Sequence, residues 1–210
     1  MGVLVRHEDR SEGGYLAHLT IDNAGKLNSL NRTLMTEIVE TVGGLAGDPR
    51  LRLAVVSGAG LELACACDLR VASERSVFGM PEVKIGIPSV VEAALLPGLI
   101  GQGRTRRLLL TGETISAGEA LAWGLVDAVV AAGELDEAIE RFVGPILAAG
   151  PRAVRLQKSL ILGWEELPTA AAIERGIDCF VSAFDTDEPV RMAGAMLAKL
   201  RTRRRSTESR

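Results

Sequence analysis

The sequence predicts an α/β fold, with strand–helix units first and a helical C-terminal region after them. Three observations carry that prediction. Two apolar runs of strand character, "YLAHLTID" (15–22) and "LRLAVVSG" (51–58), flank a segment of helical period. Polar, glycine-containing turns separate the units. From Leu135 to Lys199 the pattern is helical almost throughout, with prolines as its expected breaks.

The elements follow in order. Residues 15–22 alternate well enough for a strand, and "NAGKLNSLN" after them is a polar turn. Asn31 is a candidate cap for the helix "RTLMTEIVETVGGLA", which sets Leu34, Ile38, Val42 and Leu45 on one face. "GDPR" ends it, and "LRLAVVSG" is apolar enough to predict a buried strand. A glycine turn then opens a helix over 61–69. "RVASERSVFGMPE" (70–82) reads as a short strand or two. A helix is expected over 89–101, between Pro88 and Gly101, with a break at Pro97, and another over 104–113. Ser116 with Glu119 three residues on forms a capping box for the helix over 116–125. "VDAVVAAGEL" is a strand running into a turn. The last region is expected to break at Pro145, Pro151, Pro168 and Pro189.

Composition bounds the function. With 210 residues the chain can bury a sizeable core, and its 47% hydrophobic and 24% charged content suits a globular protein. Aromatic residues make up only 3% and the net charge is -3, which argues against nucleic acid as a partner. The basic run "RTRRRS" from Arg201 reads as a solvated tail. No apolar stretch spans a bilayer, and the start lacks a signal-peptide pattern, so no membrane partner is expected. Cys65, Cys67 and Cys179 have no framework spacing, and the expected location is the reducing cytoplasm.

Several chemistries fail on residue types. His7 and His18 are the only histidines, and there is no G-x-S-x-G, H-E-x-x-H or paired C-x-x-C. Cys65 and Cys67, two apart on one helix, are poorly placed to share a metal and read as small core residues. No metal site is expected. "GAG" after a strand hints at a dinucleotide turn, but the third glycine position is Leu63. Two glutamates in apolar settings remain. Glu62 sits in the first turn of a helix among Leu, Ala and Cys, where a carboxylate is costly unless paired or protonated. It either serves that helix terminus, or an arginine, or proton chemistry. Glu82 follows Pro81 at the end of an apolar stretch and is either an exposed turn residue or a second acid/base group. Backbone amides of the glycine turn beside such a pair suit an anionic intermediate.

The stretches "GAGLELACACDLRVASERSVFGMPEVKIGIP" (58–88) and "LLLTGETISAGEALAWGLVDAVV" (108–130) resemble the crotonase superfamily, the enoyl-CoA hydratase/isomerase family. "IDNAGKLNSLN" (21–31) looks like the family's first strand–turn–helix, whose loop contacts the CoA moiety. The resemblance implies a crotonase-like core, a spiral of ββα units, over 1–134. It further implies a helical oligomerisation or lid region over 135–200 and a basic tail over 201–210. It implies hydration of 2-enoyl-CoA thioesters, with Glu62 and Glu82 on the two catalytic glutamate positions, at the family's interval of 20 residues. Gly58, Ala59 and Gly60 fall on the substrate-binding turn, with the Ala59 amide as oxyanion donor. The acyl-CoA is substrate and no cofactor is implied. The helices "PRAVRLQKSLIL" and "AAIERGIDCFVSAFDTDE" suggest a homotrimer or hexamer.

Two departures from the family pattern stand out. Where many hydratases have a glycine-rich turn after the second glutamate, this chain has "SVVEAALLP", which changes the pocket wall and adds Glu92. The family also places a loop with a further oxyanion donor, a helix and a strand between the strand like "LAVVSGAG" and the "GAGLELA" turn. Here the first runs straight into the second, an apparent internal deletion around 58–61. The resemblance therefore supports two readings, a hydratase and a crotonase-fold binding or oligomer-forming scaffold with impaired catalysis.

Overall fold

The computed structural model describes residues 2–10, 14–23, 31–58 and 60–208. The chain divides into two units, 1–143 and 144–210. The first opens on a three-stranded sheet in the order β1-β2-β3, formed by Gly2–Arg10, Gly14–Asp22 and Leu51–Ser57. β1 runs antiparallel to β2, while β3 runs parallel to it. A parallel pair needs a crossover, and α1 (Arg32–Ala46) supplies it. Asn31 caps α1 as its position predicts, its side chain accepting from the Leu34 amide at 2.9 Å. Glu37 of α1 accepts from the Val3 amide at 2.9 Å, which ties the helix to the outer strand.

The sheet holds two surprises. β1 is a full strand, although its residues, mostly exposed, carry almost no apolar alternation. Its pairing with the buried β2 makes it a strand. β3, expected to be buried, is only half-buried along its length. It lies at the edge of the sheet, so one flank has no neighbouring strand among the described residues. On α1, Leu34 and Leu45 are buried, whereas Val42 remains exposed because the face turned inward is narrower than the sequence stripe.

After the sheet the chain is finely divided. α2 (Leu61–Cys65) is one short helix, half the length expected, and ends in turns at Ala66–Leu69. Arg70 explains the stop. Its guanidinium donates to the carbonyls of Cys67 and Leu125, and its amide donates to Asp127, all at 2.6 Å. These bonds pull the chain out of helix and into β4 (Val71–Ser73), which pairs in parallel with β7 (Ala128–Val130). β5 (Val77–Gly79) pairs antiparallel with β6 (Thr114–Ser116). The 89–101 segment is not one helix. A 3-10 turn covers Val91–Leu95, and α3 spans Leu96–Thr111 with Pro97 in its first turn. There a missing amide costs nothing, so Pro97 starts the helix rather than breaking it. Gly101, at φ 80, kinks α3 where two helices were expected. Met80, Leu96, Leu108, Ile115 and Leu125 close the core around these pieces.

α4 (Ala117–Trp123) carries the expected capping box. Glu119 donates its amide to the Ser116 hydroxyl at 3.2 Å and accepts from the Ser116 amide at 2.9 Å. Replacing Ser116 by alanine is expected to cost about 1 kcal/mol. Calorimetry should show a melting temperature lower by about 2–4 °C in a chain of this size. An unchanged melting curve means that the cap contributes nothing.

The last helices are α5 (Leu135–Ala148), α6 (Pro151–Glu166), α7 (Thr169–Ala183) and α8 (Glu188–Glu208). Pro145 does not break α5; it removes one i→i−4 hydrogen bond and the helix runs on. Pro151 and Pro189 lie in the first turns of α6 and α8, and Pro168 is the N-cap of α7, positions that tolerate a missing amide. Gly150, which precedes α6, has no side chain with which to cap it. The cap comes from α8. The buried Glu188 carboxylate accepts from the amides of Arg152 at 3.1 Å and Ala153 at 2.8 Å. A Cβ at position 150 would collide with that carboxylate. The basic run from Arg201 continues α8, with Arg201 itself exposed. Among the described residues no helix is long and apolar enough to cross a membrane.

Candidate active site

Two buried anchors set the site. Cys65, 5% exposed, fixes the end of α2 in the core, and Met80, 2% exposed, fixes the residue before Pro81-Glu82. Between them the sequence must project its polar groups outward, because the same segments carry Glu62 and Glu82 one turn or less away. α2 packs against the 3-10 turn Val91–Leu95, which carries Glu92. Glu62, Glu82 and Glu92 are all half-buried, and the last two lie near enough to act electrostatically on Glu62.

Their electrostatics follow from that crowding. Burial first, and then the negative charges of Glu82 and Glu92, hold the Glu62 carboxyl above its ordinary range. No arginine pairs with Glu62 among the described residues, so its proton chemistry is left to its acidic neighbours. α2 has only five residues, too short a helix for its terminus to offset them. Burial pushes the Cys65 thiol up to about 11, with Arg70 pulling weakly the other way. A thiol held neutral in the core is packing material, as its sequence context suggests.

Glu82 lies in the first turn of a short 3-10 helix, Pro81–Ile85, that ends at Gly86 with φ 78. That left-handed backbone reverses the chain, and glycine is the residue that adopts it without strain. The returning loop is closed by two bonds, from the Gly86 amide to the Val83 carbonyl at 3.2 Å and from the Ile87 amide to the Glu82 carbonyl at 3.1 Å. The Ser89 hydroxyl then donates to Glu82 Oε2 at 2.8 Å.

The other expected residues fall as follows. Gly58 is exposed at φ 70, and Gly60 is the N-cap of α2, its carbonyl accepting from the Ala64 amide at 3.0 Å. Ala59 and most of the 21–31 stretch lie outside the described residues. The histidines belong to the sheet: His18 bonds Glu8 at 3.0 Å and His7 stacks on Tyr15. Among the described residues no group of three or more His, Cys, Asp or Glu is arranged to hold a metal ion. The C-terminal unit carries two open clefts along α6, of about 470 and 460 Å³, lined by residues such as Arg152, Arg155 and Arg175. Neither is lined by Glu62, Glu82 or Glu92. Ser89 is the residue that sequence reasoning missed. Only the reversal at Gly86 brings it to Glu82, seven positions back.

The sequence model of the enoyl-CoA hydratase/isomerase family matches residues 54–197. The chain is 37% identical over 143 residues to crotonyl-CoA hydratase of Syntrophomonas wolfei subsp. wolfei, covering 68% of this chain and 55% of that protein. It is 38% identical over 130 residues to a short-chain-enoyl-CoA hydratase of Clostridioides difficile, covering 60% of this chain and 81% of that protein. A short-chain-enoyl-CoA hydratase of Clostridium acetobutylicum matches at 37% over 134 residues, covering 62% of this chain and 51% of that protein. The chain thus spans about half the length of the Syntrophomonas and C. acetobutylicum relatives. Among solved structures, an enoyl-CoA hydratase of Mycobacterium smegmatis superposes with a TM-score of 0.83 at 21% identity, covering 93% of this chain and 96% of that one. The enoyl-CoA hydratase of Bacillus anthracis gives 0.82 at 21% identity, with 93% and 96% covered. At that identity the likeness is one of fold: the chain has the crotonase fold with a helical C-terminal region.

Proposed function

The chain belongs to the enoyl-CoA hydratase/isomerase family, and on that premise we propose that it hydrates 2-enoyl-CoA thioesters. In the reaction, the oxygen of water bonds to C3 and a proton is delivered to C2, through an enolate of the thioester. Glu62 and Glu82 hold the water and exchange its protons. The observation that carries this reading is that Glu82, and with it Glu92, lies near enough to act electrostatically on the half-buried Glu62 carboxyl. Crowded carboxyl groups with one held above its ordinary range are what proton transfer near neutral pH asks for. The turn over Gly58, Ala59 and Gly60 faces the developing oxyanion in this reading, and a lost donor there would cost on the order of a hundredfold.

The test is direct. Purified protein mixed with crotonyl-CoA should consume the enoyl thioester's ultraviolet absorbance and yield the 3-hydroxybutyryl thioester, identified by mass spectrometry. Absence of turnover with crotonyl-CoA and with longer 2-enoyl-CoA thioesters overturns the reading.

One feature favours the scaffold alternative. Among the described residues β3 is an edge strand, and its chain passes within a few residues into α2, where the family resemblance implies a further loop, helix and strand. Under that reading the protein binds acyl-CoA without converting it, and the same assay separates the two. Self-association belongs to either reading. Ile173, Ile177 and Phe180 of α7, with Phe184 at its C-cap, form an exposed apolar stripe at helical spacing, which supports self-association as a homotrimer or hexamer. Light scattering on the intact chain measures it.

A further inference from the structure

We infer that Ser89 is a positioning residue for Glu82, holding one carboxylate oxygen so that the other is presented to the substrate. The inference rests on the hydratase reading above and deepens it by one residue. It stands on the geometry of the loop. Both partners are half-buried, and the Ser89 hydroxyl donates to Glu82 Oε2 at 2.8 Å, an ordinary, well-formed O–H···O distance.

A turn-closing role does not account for this bond. The loop after Glu82 is already closed by backbone bonds, from Gly86 to Val83 and from Ile87 to Glu82. Gly86 supplies the left-handed reversal that those bonds need. Pro88 has its own φ fixed and biases Ile87 toward extended backbone, which narrows the paths by which the chain reaches Ser89. The serine hydroxyl is therefore spare as far as the turn is concerned, and it is spent on a side chain. Glu82 is thus held twice by the same returning loop, at its carbonyl by Ile87 and at its carboxylate by Ser89.

The consequence is preorganisation. A glutamate has three rotatable bonds, and an unrestrained one samples many orientations before it meets substrate. With Oε2 engaged, the orientation of Oε1 is set before binding. A misplacement of about 1 Å in such a group costs up to about a hundredfold in rate. The serine itself takes up no proton from the substrate in this scheme.

The test uses the full chain and the crotonyl-CoA assay. Ser89→Ala should lower kcat about tenfold or more while KM stays within about twofold. Ser89→Thr, which keeps the hydroxyl, should recover most of the loss. The doubly substituted Glu82→Gln/Ser89→Ala protein should be no slower than Glu82→Gln alone, because the serine acts only through that carboxylate. A general loosening of the fold would instead multiply the two losses and would not be rescued by threonine. If Ser89→Ala retains the wild-type kcat, or if the two losses multiply, the assignment is overturned. Inactivity of the wild-type protein is a failure of the hydratase reading, and crystal structures then decide the serine's role. A single Glu82 rotamer in the wild type and several in Ser89→Ala uphold it; one unchanged rotamer in both overturns it.

Discussion

Turnover of crotonyl-CoA by the Glu82→Gln protein is expected to fall about 10²- to 10⁴-fold, the range for losing a positioned proton-transfer group. The substitution is nearly isosteric. The glutamine's amide oxygen can still accept the Ser89 hydroxyl bond, so the loop from Pro81 to Ser89 should keep its course. What disappears is the ability to take up or release a proton at that place. KM should change little, because the acyl-CoA is bound by groups other than the reacting carboxylate, and the loss should sit in kcat. Steady-state kinetics with matched circular dichroism spectra check this. A variant keeping a tenth or more of the wild-type rate removes Glu82 from the chemistry.

Glu62→Gln is expected to lose activity over a similar range and to gain stability at the same time. The sign follows from its environment. Burial and the charges of Glu82 and Glu92 raise its carboxyl above the ordinary 4.5, so the folded chain holds this proton more tightly than the unfolded chain does. That preference favours folding fully below the ordinary value and is lost as the pH rises through the raised one. At neutral pH the wild-type protein therefore carries a charge that its folded site resists. Glutamine removes the charge, so the variant should melt about 1–3 °C higher at pH 7. The advantage should vanish by about pH 3, well below the ordinary value, where wild-type Glu62 is protonated whether folded or not. Melting curves at the two pH values decide it. A gain that persists at about pH 3 has some other origin than charge.

The sequence singled out the candidate carboxylates more readily than it showed the sheet. Glu62 and Glu82 stand out because carboxylates in apolar segments are costly, and their interval matches a known family. Ser89 could not be read in the same way, since its bond depends on a chain reversal of which the sequence gives only one sign, a glycine at 86. β1 escaped because its apolar residues, Val3 to Val5, run together and then give way to Arg, His, Glu and Asp with no alternation; pairing with β2 makes it a strand. β3 looked buried because apolar runs do not say how many strands flank them. Proline misled for a related reason: at 97, 151 and 189 it lies in a first helical turn, and only neighbouring geometry tells a start from a break. The short α2 was hidden behind Arg70, whose partners Leu125 and Asp127 lie over fifty positions downstream.

The Glu188 cap of α6 carries a consequence for how the chain is made. Synthesis runs from the N-terminus, and α6 leaves the ribosome well before its capping group, which follows Arg152 by 36 positions. At about 5–20 residues per second, that interval lasts roughly 2–7 seconds. Throughout it, the Arg152 and Ala153 amides have water, and no carboxylate, as their partner. The C-terminal unit therefore gains its full helix start only when the opening of α8 has been translated. A nascent chain stopped short of Glu188 would hold α6 with a frayed first turn, visible as faster amide exchange at Arg152 and Ala153 than in the finished protein.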